Sequence, residues 1–248
     1  MKYLSRIGML VLIVALSGCA TSNNPNDPLE SYNRAVFSFN DTLDTVALKP
    51  VAKAYKFVLP EFVQTGIDNF FGNIGDVWSA VNQLMQGRVE AGVSSFMRVA
   101  INTTFGLGGV LDISTEARFP RQKSDFGQTL GKWGVGAGPY FVVPLLGPST
   151  VRDTAALAVD FYGDPWAYKK PTDVRNIGIG LRMIDRRAQL LDATTLLEDA
   201  ALDKYDFVRD AYLQRRQSQI DGAKAHDGDD QVDAVKDHEP SNEGATKP

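Results

Sequence analysis

Between Lys132 and Arg152 the chain runs for nineteen residues without a charge, and four glycines and three prolines lie inside that run. Its length approaches the roughly 20 apolar residues that carry a helix across a bilayer. Its composition forbids that use, because proline removes an amide donor and each interior glycine costs a helix about 1 kcal/mol. An irregular backbone cannot face lipid tails unless protein shields it or it lines a cavity. Two placements satisfy both conditions: a loop buried in a core, or a loop at a membrane surface or pore mouth. Within the run, Gly134, Gly136 and Gly138 alternate with Val135 and Ala137 ahead of Pro139. Such a backbone is free to reach positive φ at three points and is stiff just beyond them.

The rest of the body reads as helix. Asp27-Pro28-Leu29-Glu30 is a helix start, with Asp27 as N-cap, Pro28 at the first helical position and Glu30 closing a capping box. Leu29, Tyr32, Val36, Phe39, Leu43 and Val46 follow at spacings of three and four. Pro50 is expected to end that helix and open a short one through Phe57-Val58. A helix from Pro60 carries Phe62, Val63, Ile67, Phe70 and Phe71, and a separate one carries Val77, Trp78, Val81, Leu84 and Met85. Val89, Val93, Phe96, Met97 and Ala100 mark the next. Residues 105–148 are punctuated by glycine and proline, with one short helix near Asp125–Leu130. Pro148-Ser149-Thr150 starts a helix through Val159, Asp173 starts another with Ile177, Leu181, Ile184, Ala188 and Leu191, and a last one surrounds Asp199–Arg216. Period-two alternation is nowhere sustained, so the fold class is mainly α, in one domain of short amphipathic helices without internal repeats. On composition the aromatic faces (Phe37, Phe39, Phe57, Phe70, Phe71, Trp78) read as ordinary core, whereas a lipid-anchored protein would hold such apolar faces beside a bilayer.

Both ends differ from this body. Lys2 and Arg6 precede the apolar run Met9–Leu16, too short to span a bilayer, and Leu16-Ser17-Gly18-Cys19 matches a lipobox. Cys19 is the only cysteine. We therefore expect residues 1–18 to be a cleaved lipoprotein signal peptide and Cys19 to be the lipid attachment site, bearing diacylglyceryl and N-acyl groups that together anchor stably. Ala20, rather than Asp, after the cysteine points to the outer membrane. Residues 19–26 form a polar linker and 27–220 the folded domain. Residues 221–248 hold eight acids against three lysines, with Val232 and Val235 the only sizeable apolar side chains, and read as a disordered acidic tail.

The inventory narrows the chemistry. Both histidines, His226 and His238, lie in that tail. The body then lacks the parts of Ser-His-Asp or Cys-His catalysis and of nearly every zinc site. Neighbouring carboxylates such as Asp41 and Asp44, or Glu198 and Asp199, sit in helical patterns that read as solvated faces rather than as catalytic pairs. Gly106-Leu107-Gly108-Gly109 lacks the Lys-Ser/Thr of a phosphate loop. The body carries 21 basic and 22 acidic residues and no basic stripe for nucleic acid. We expect no enzyme, no metal and no cofactor beyond the acyl groups on Cys19.

An ordered set of motifs then resembles the MlaA family of lipoproteins, also called VacJ: Asp27-Pro28-Leu29-Glu30 with Asn33-Arg34 and Phe39-Asn40, Lys49-Pro50-Val51-Ala52, Asn69-Phe70-Phe71-Gly72-Asn73, Asn102-Thr103-Thr104-Phe105-Gly106, Phe126-Gly127-Gln128-Thr129-Leu130-Gly131, Trp133 through Tyr140, and Leu145 through Asp153. The tail has no counterpart in that pattern. The resemblance implies a ring-like helical body in the inner, periplasmic leaflet of the outer membrane, pierced by a polar channel. It implies removal of mislocalised phospholipids from the outer leaflet and their transfer to the soluble periplasmic carrier of the Mla system, which feeds an ATP-driven inner-membrane complex. It implies association with a trimeric porin and retrograde intermembrane transport that maintains lipid asymmetry. Under that reading Asn33, Asn40, Asn69, Asn73, Asn82 and Asn102 are candidate channel-lining residues, with capping or helix-end bonding as the alternative. Gly134, Gly136, Gly138 and Pro139 resemble the family's flexible loop beside the channel. An adaptor between porin and periplasmic partners, and a carboxylate-based envelope hydrolase, are the competing classes.

Overall fold

The structure, a computed structural model, describes residues 27–236, with side chains left out for 196–200 and 223–236. The signal peptide, Cys19 and the linker lie outside the described residues. The elements are α1 (Glu30–Leu43), a π-helical turn (Asp44–Leu48), α2 (Lys49–Val58), α3 (Glu61–Met85), α4 (Val89–Thr104), α5 (Ile113–Glu116) and α6 (Phe126–Lys132). Then follow β1 (Tyr140–Val143), β2 (Gly147–Thr150), α7 (Val151–Gly163), a 3₁₀ turn (Pro165–Tyr168), α8 (Thr172–Gln189), α9 (Leu191–Ala200) and α10 (Lys204–Lys236). The mainly helical class stands as expected. α3 and α10 are long rather than short, and no helix among the described residues is long and apolar enough to cross a membrane.

Several boundaries fall elsewhere than the sequence suggests. Asp27 is not a cap: α1 begins at Glu30, and the Asp27 carboxylate is buried, accepting from Asn33 Nδ2 (2.8 Å) and from the Tyr205 hydroxyl. Pro50 does not end the first helix, because the π turn shifts the bonding from i−4 to i−5, with Lys49 N–H donating to Asp44 O, and carries the chain past the missing proline donor. The two helices expected between Pro60 and Met85 are one, α3, about 37 Å long. A strand pair was also unforeseen: Tyr140 pairs with Thr150 and Val143 with Gly147 in an antiparallel hairpin inside the uncharged run. Four residues per strand are too few for alternation to stand out. The helix start at Thr150 is as read, its hydroxyl accepting from Asp153 N–H (3.2 Å). α10 is described as far as Lys236, and the rest of the acidic tail, 237–248, lies outside the described residues.

Packing closes on itself. α1 lies on β1, the hairpin on α7, α7 on α6, α6 on α3, α3 on α8, α8 on α2, and α2 returns through the π turn to α1. This closed circuit is the ring-like arrangement. α4 pairs with α3 and α10 fastens to α6 and β2.

The distribution of side chains is inverted. Buried positions among the described residues are mostly polar or charged, including Asp76, Asn82, Gln83, Arg98, Asn102, Thr129, Arg152 and Asp153. The buried apolar groups are fewer, and several are alanines. On α4 the buried residues are Ala91, Gly92, Ser95, Arg98 and Asn102, at spacings of one to four. The apolar stripe that marks this helix in the sequence (Val89, Val93, Phe96, Met97) points outward. Phe57 is 90% exposed, Phe62 78% and Phe96 66%. Of the aromatic residues expected in the core, Phe71 is buried and Phe37, Phe70 and Trp78 are half-buried, whereas Phe39 and Phe57 are exposed. Exposed apolar surface costs about 25 cal/mol per Å² in water, and large exposed patches mark surfaces that meet a partner or a membrane.

Candidate functional site

The polar side of α3 is the centre of the inverted interior. Asp68, Gly72, Gly75, Asp76, Ser79, Asn82, Gln83 and Gln86 recur at three- and four-residue spacings, forming one polar stripe along the helix. Phe62, Val81 and Leu84 are exposed elsewhere on it.

Two networks hold this stripe, and a third lies beyond it. Arg98 of α4, fully buried, donates to Asp76 (3.4 Å), to Thr115 Oγ1 (3.1 Å), to both Asp112 oxygens (3.0 and 2.9 Å) and to the Phe119 carbonyl. Burial raises the Asp76 carboxyl despite Arg121 and Arg98 beside it. At Asp112 the effect of burial is outweighed by hydrogen bonds from Thr115, Arg98 and Asn102, and its carboxyl falls to about 2. Farther along, Gln86 Nε2 donates to Ser124 Oγ (2.7 Å) and Thr129 Oγ1 (2.9 Å), while the Thr129 hydroxyl donates to Asn82 Oδ1 (2.7 Å). The third network joins α10 to the ring: Arg216 is bidentate to Asp125 (2.6 and 2.6 Å) and also donates to Asp153 (2.9 Å), which Tyr212 bonds as well (2.8 Å). Charged pairs bridging separate elements lock the geometry of a wall that apolar packing does not hold.

The asparagines expected to line a passage bond loops and helices around them. Asn33 and Asn40, two turns apart on α1, serve β1 as a substitute neighbouring strand. Asn33 donates to Tyr140 O (3.1 Å) and accepts from Val142 N–H (2.9 Å), while Asn40 donates to Val143 O (3.0 Å) and accepts from Leu145 N–H (2.8 Å). Those bonds blunt the hairpin's open edge. Asn69 holds the segment after α4 through Val110 O (3.2 Å), and Asn73 bonds Thr103 Oγ1 in the last turn of α4 (3.0 Å). Asn82 bonds Trp78 O and Thr129, and Asn102 bonds Asp112 and Ser114. All six make bonds within the protein, and Asn33, Asn73, Asn82 and Asn102 are buried.

The glycine loop lies at the surface. Residues 133–136 and 138–139 are exposed, so this part of the run is not a core loop. Gly134 and Gly138 have positive φ, 92° and 69°, and Gly136 does not. Val135 N–H donates to Leu130 O (2.9 Å), and Ala137 O and Pro139 O accept from Arg152 N–H and Val151 N–H (3.1 Å each). Gly136, between these anchors, has open space where a Cβ would stand.

Sequence reasoning missed a set of cations beside the stripe. Gly72 leaves room for the Arg121 guanidinium, which reaches Asp76 (3.3 Å) and Asp68 (3.6 Å). Arg182 of α8 packs over Gly75 while bonding Asp164. Lys123 and Arg186 stand near them, exposed. The polar periodicity of 68, 72, 75, 76 and 79 on an apolar helix was the available signal. Among the described residues no group of three or more His, Cys, Asp or Glu side chains is placed to hold a metal ion.

The comparisons with known proteins cover most of the molecule. The profile of a family described as MlaA lipoprotein matches residues 25–219. The intermembrane phospholipid transport system lipoprotein MlaA of Haemophilus influenzae is 33% identical, covering 90% of this chain and 93% of its own. That of Escherichia coli is 38% identical over 81% of this chain and 82% of its own. A solved structure reported as the structural basis for maintenance of bacterial outer membrane lipid asymmetry superimposes with a TM-score of 0.69 at 36% identity, covering 78% of this chain and 98% of that one.

Proposed function

The chain belongs to the MlaA lipoprotein family, and from this we infer that it is an outer-membrane phospholipid-transport lipoprotein that maintains lipid asymmetry. It takes mislocalised phospholipid from the outer leaflet and passes it, through the polar interior of its ring, to a periplasmic carrier. The observation that carries this reading is the inversion of the body. A closed circuit of helices turns Phe57, Phe62 and Phe96 outward and keeps Asp76, Asn82, Arg98 and Asp153 inside. A body of this kind rests with its rim in lipid tails while its interior remains hydrophilic enough for a head group. Diffusion of a lipid needs no covalent chemistry, in keeping with a body, residues 27–220, that holds no histidine.

Finer assignments belong to the same proposal. Cys19, acylated, holds the ring in the inner leaflet. The loop at Gly134, Gly136, Gly138 and Pro139 acts as a compliant gate beside the passage. A trimeric porin supplies a place in the membrane where the ring is held, and the Mla carrier receives the lipid. Mass spectrometry of the protein extracted from native outer membranes tests the reading. Phospholipid should co-purify through size exclusion and exchange with added labelled phospholipid without hydrolysis. Protein that emerges free of phospholipid, or that releases fatty acid from it, would remove transport as the function.

A further inference from the structure

Four cations lie near the polar side of α3. Arg121 and Lys123 belong to the segment between α5 and α6, and Arg182 and Arg186 to α8. The carboxylates around them are already engaged. Asp76 is held by Arg98 and Arg121, Asp68 by Arg121, Asp164 by Arg182, and Asp185 by the Tyr55 hydroxyl (2.7 Å) and Gln189 (2.9 Å). Lys123 and Arg186 have neither a hydrogen bond nor an ion pair among the described residues. Lys123 is exposed yet hemmed in. Loss of surrounding water lowers its ammonium, Arg121 and Arg186 lower it further, and Asp68 and Asp76 only partly compensate. Arg121 stands beside it with Nη2 buried and lacking an acceptor. A side chain that is open to solvent but depressed by desolvation lies in a recess rather than on a convex surface. A recess with surplus cations and too few acceptors suits an anion with several oxygens.

We propose that Lys123 and Arg186, backed by Arg121, form a phosphate-recognising station on the polar side of α3. Within the transport reading, on which this inference rests, it holds the phosphate of a phospholipid head group partway through the ring. The phosphate oxygens accept from the exposed Lys123 and Arg186, and Arg121, fixed by Asp76 and Asp68, keeps the recess positive. An inorganic phosphate ion presents the same oxygens.

The test titrates the full-length lipidated protein in maltoside detergent with dioctanoyl phosphatidylglycerol, dioctanoylglycerol and inorganic phosphate, by calorimetry. Lys123→Gln with Arg186→Gln should weaken binding of the phospholipid about tenfold or more, as expected when charge-assisted hydrogen bonds are lost. Both side chains are exposed and unpaired, so the circular dichroism of the double variant should match the wild type. Dioctanoylglycerol should bind the wild type about as weakly as the phospholipid binds the variant. Inorganic phosphate that binds as tightly as the phospholipid, and loses that affinity in the variant, assigns the station to the free anion. Weak inorganic phosphate assigns it to the head group. Undiminished phospholipid affinity in the double variant, or equal affinity for dioctanoylglycerol, overturns the station while leaving transport intact. A wild type that binds no phospholipid overturns the transport reading with it.

Discussion

Around Arg98 the structure is fixed from every side, with Asp76, Asp112, Thr115 and Phe119 converging on one guanidinium from α3, α5 and their flanking segments. Around Gly136 it is held only at the edges: the anchors sit at Val135, Ala137 and Pro139, and a side chain added at the glycine between them would meet open space. Both regions lack an apolar core, and they manage without one differently. The first replaces packing by directional charge, which tolerates little displacement because each partner is buried. The second gives up packing at Gly136, where open space meets a backbone that is bonded on either side. A ring that passes cargo needs walls of the first kind and at least one segment of the second.

Breaking the charged wall should have the larger effect. Arg98→Met leaves Asp76 and Asp112 buried without their common partner and should lower unfolding stability by about 3–5 kcal/mol. Chemical denaturation of the detergent-solubilised protein measures it. A loss below about 1 kcal/mol would mean that water or Arg121 already neutralises these carboxylates.

The loop should divide by position. Gly138→Val forces a β-branched residue to φ 69° with Val151 Cβ only 3.2 Å from the new Cβ, and should cost about 1–3 kcal/mol. Gly136→Val meets open space at an unstrained φ and should stay within about 0.5 kcal/mol of wild type. If the loop gates the passage, Gly136→Val should nevertheless slow phospholipid transfer to acceptor vesicles, since a branched side chain narrows the backbone's range. An abundant, folded Gly136→Val protein with the wild-type transfer rate would leave the loop as a surface turn.

Much of the secondary structure was legible because it follows from local rules: helical spacing in α4, the Thr150 cap and the Asp125 start of α6. The direction of the stripes was not. Periodicity reports that Val89, Val93, Phe96 and Met97 share a face, and assigning that face to a core assumes that water is the solvent outside. The lipobox and the uncharged run hinted otherwise. The polar stripe of α3 was masked by reading it as two helices, each too short for its period to show. Asn33 and Asn40 could not be placed from sequence because the backbone they bind lies over a hundred residues away. The cations at 121, 123, 182 and 186 become neighbours only once α8 folds against α3.

Spin labels test the inversion itself. Cys19 is the only natural cysteine, so labels introduced by Phe62→Cys, Phe96→Cys and Lys123→Cys report on single positions in protein reconstituted into phospholipid nanodiscs. Power saturation compares collisions with oxygen, which concentrates in lipid tails, and with a water-soluble nickel complex. The labels at 62 and 96 should favour oxygen and the label at 123 should favour nickel. If 62 and 96 favour nickel as strongly as 123 does, the exposed apolar face is not in the membrane and the account of an inverted, lipid-embedded ring is wrong.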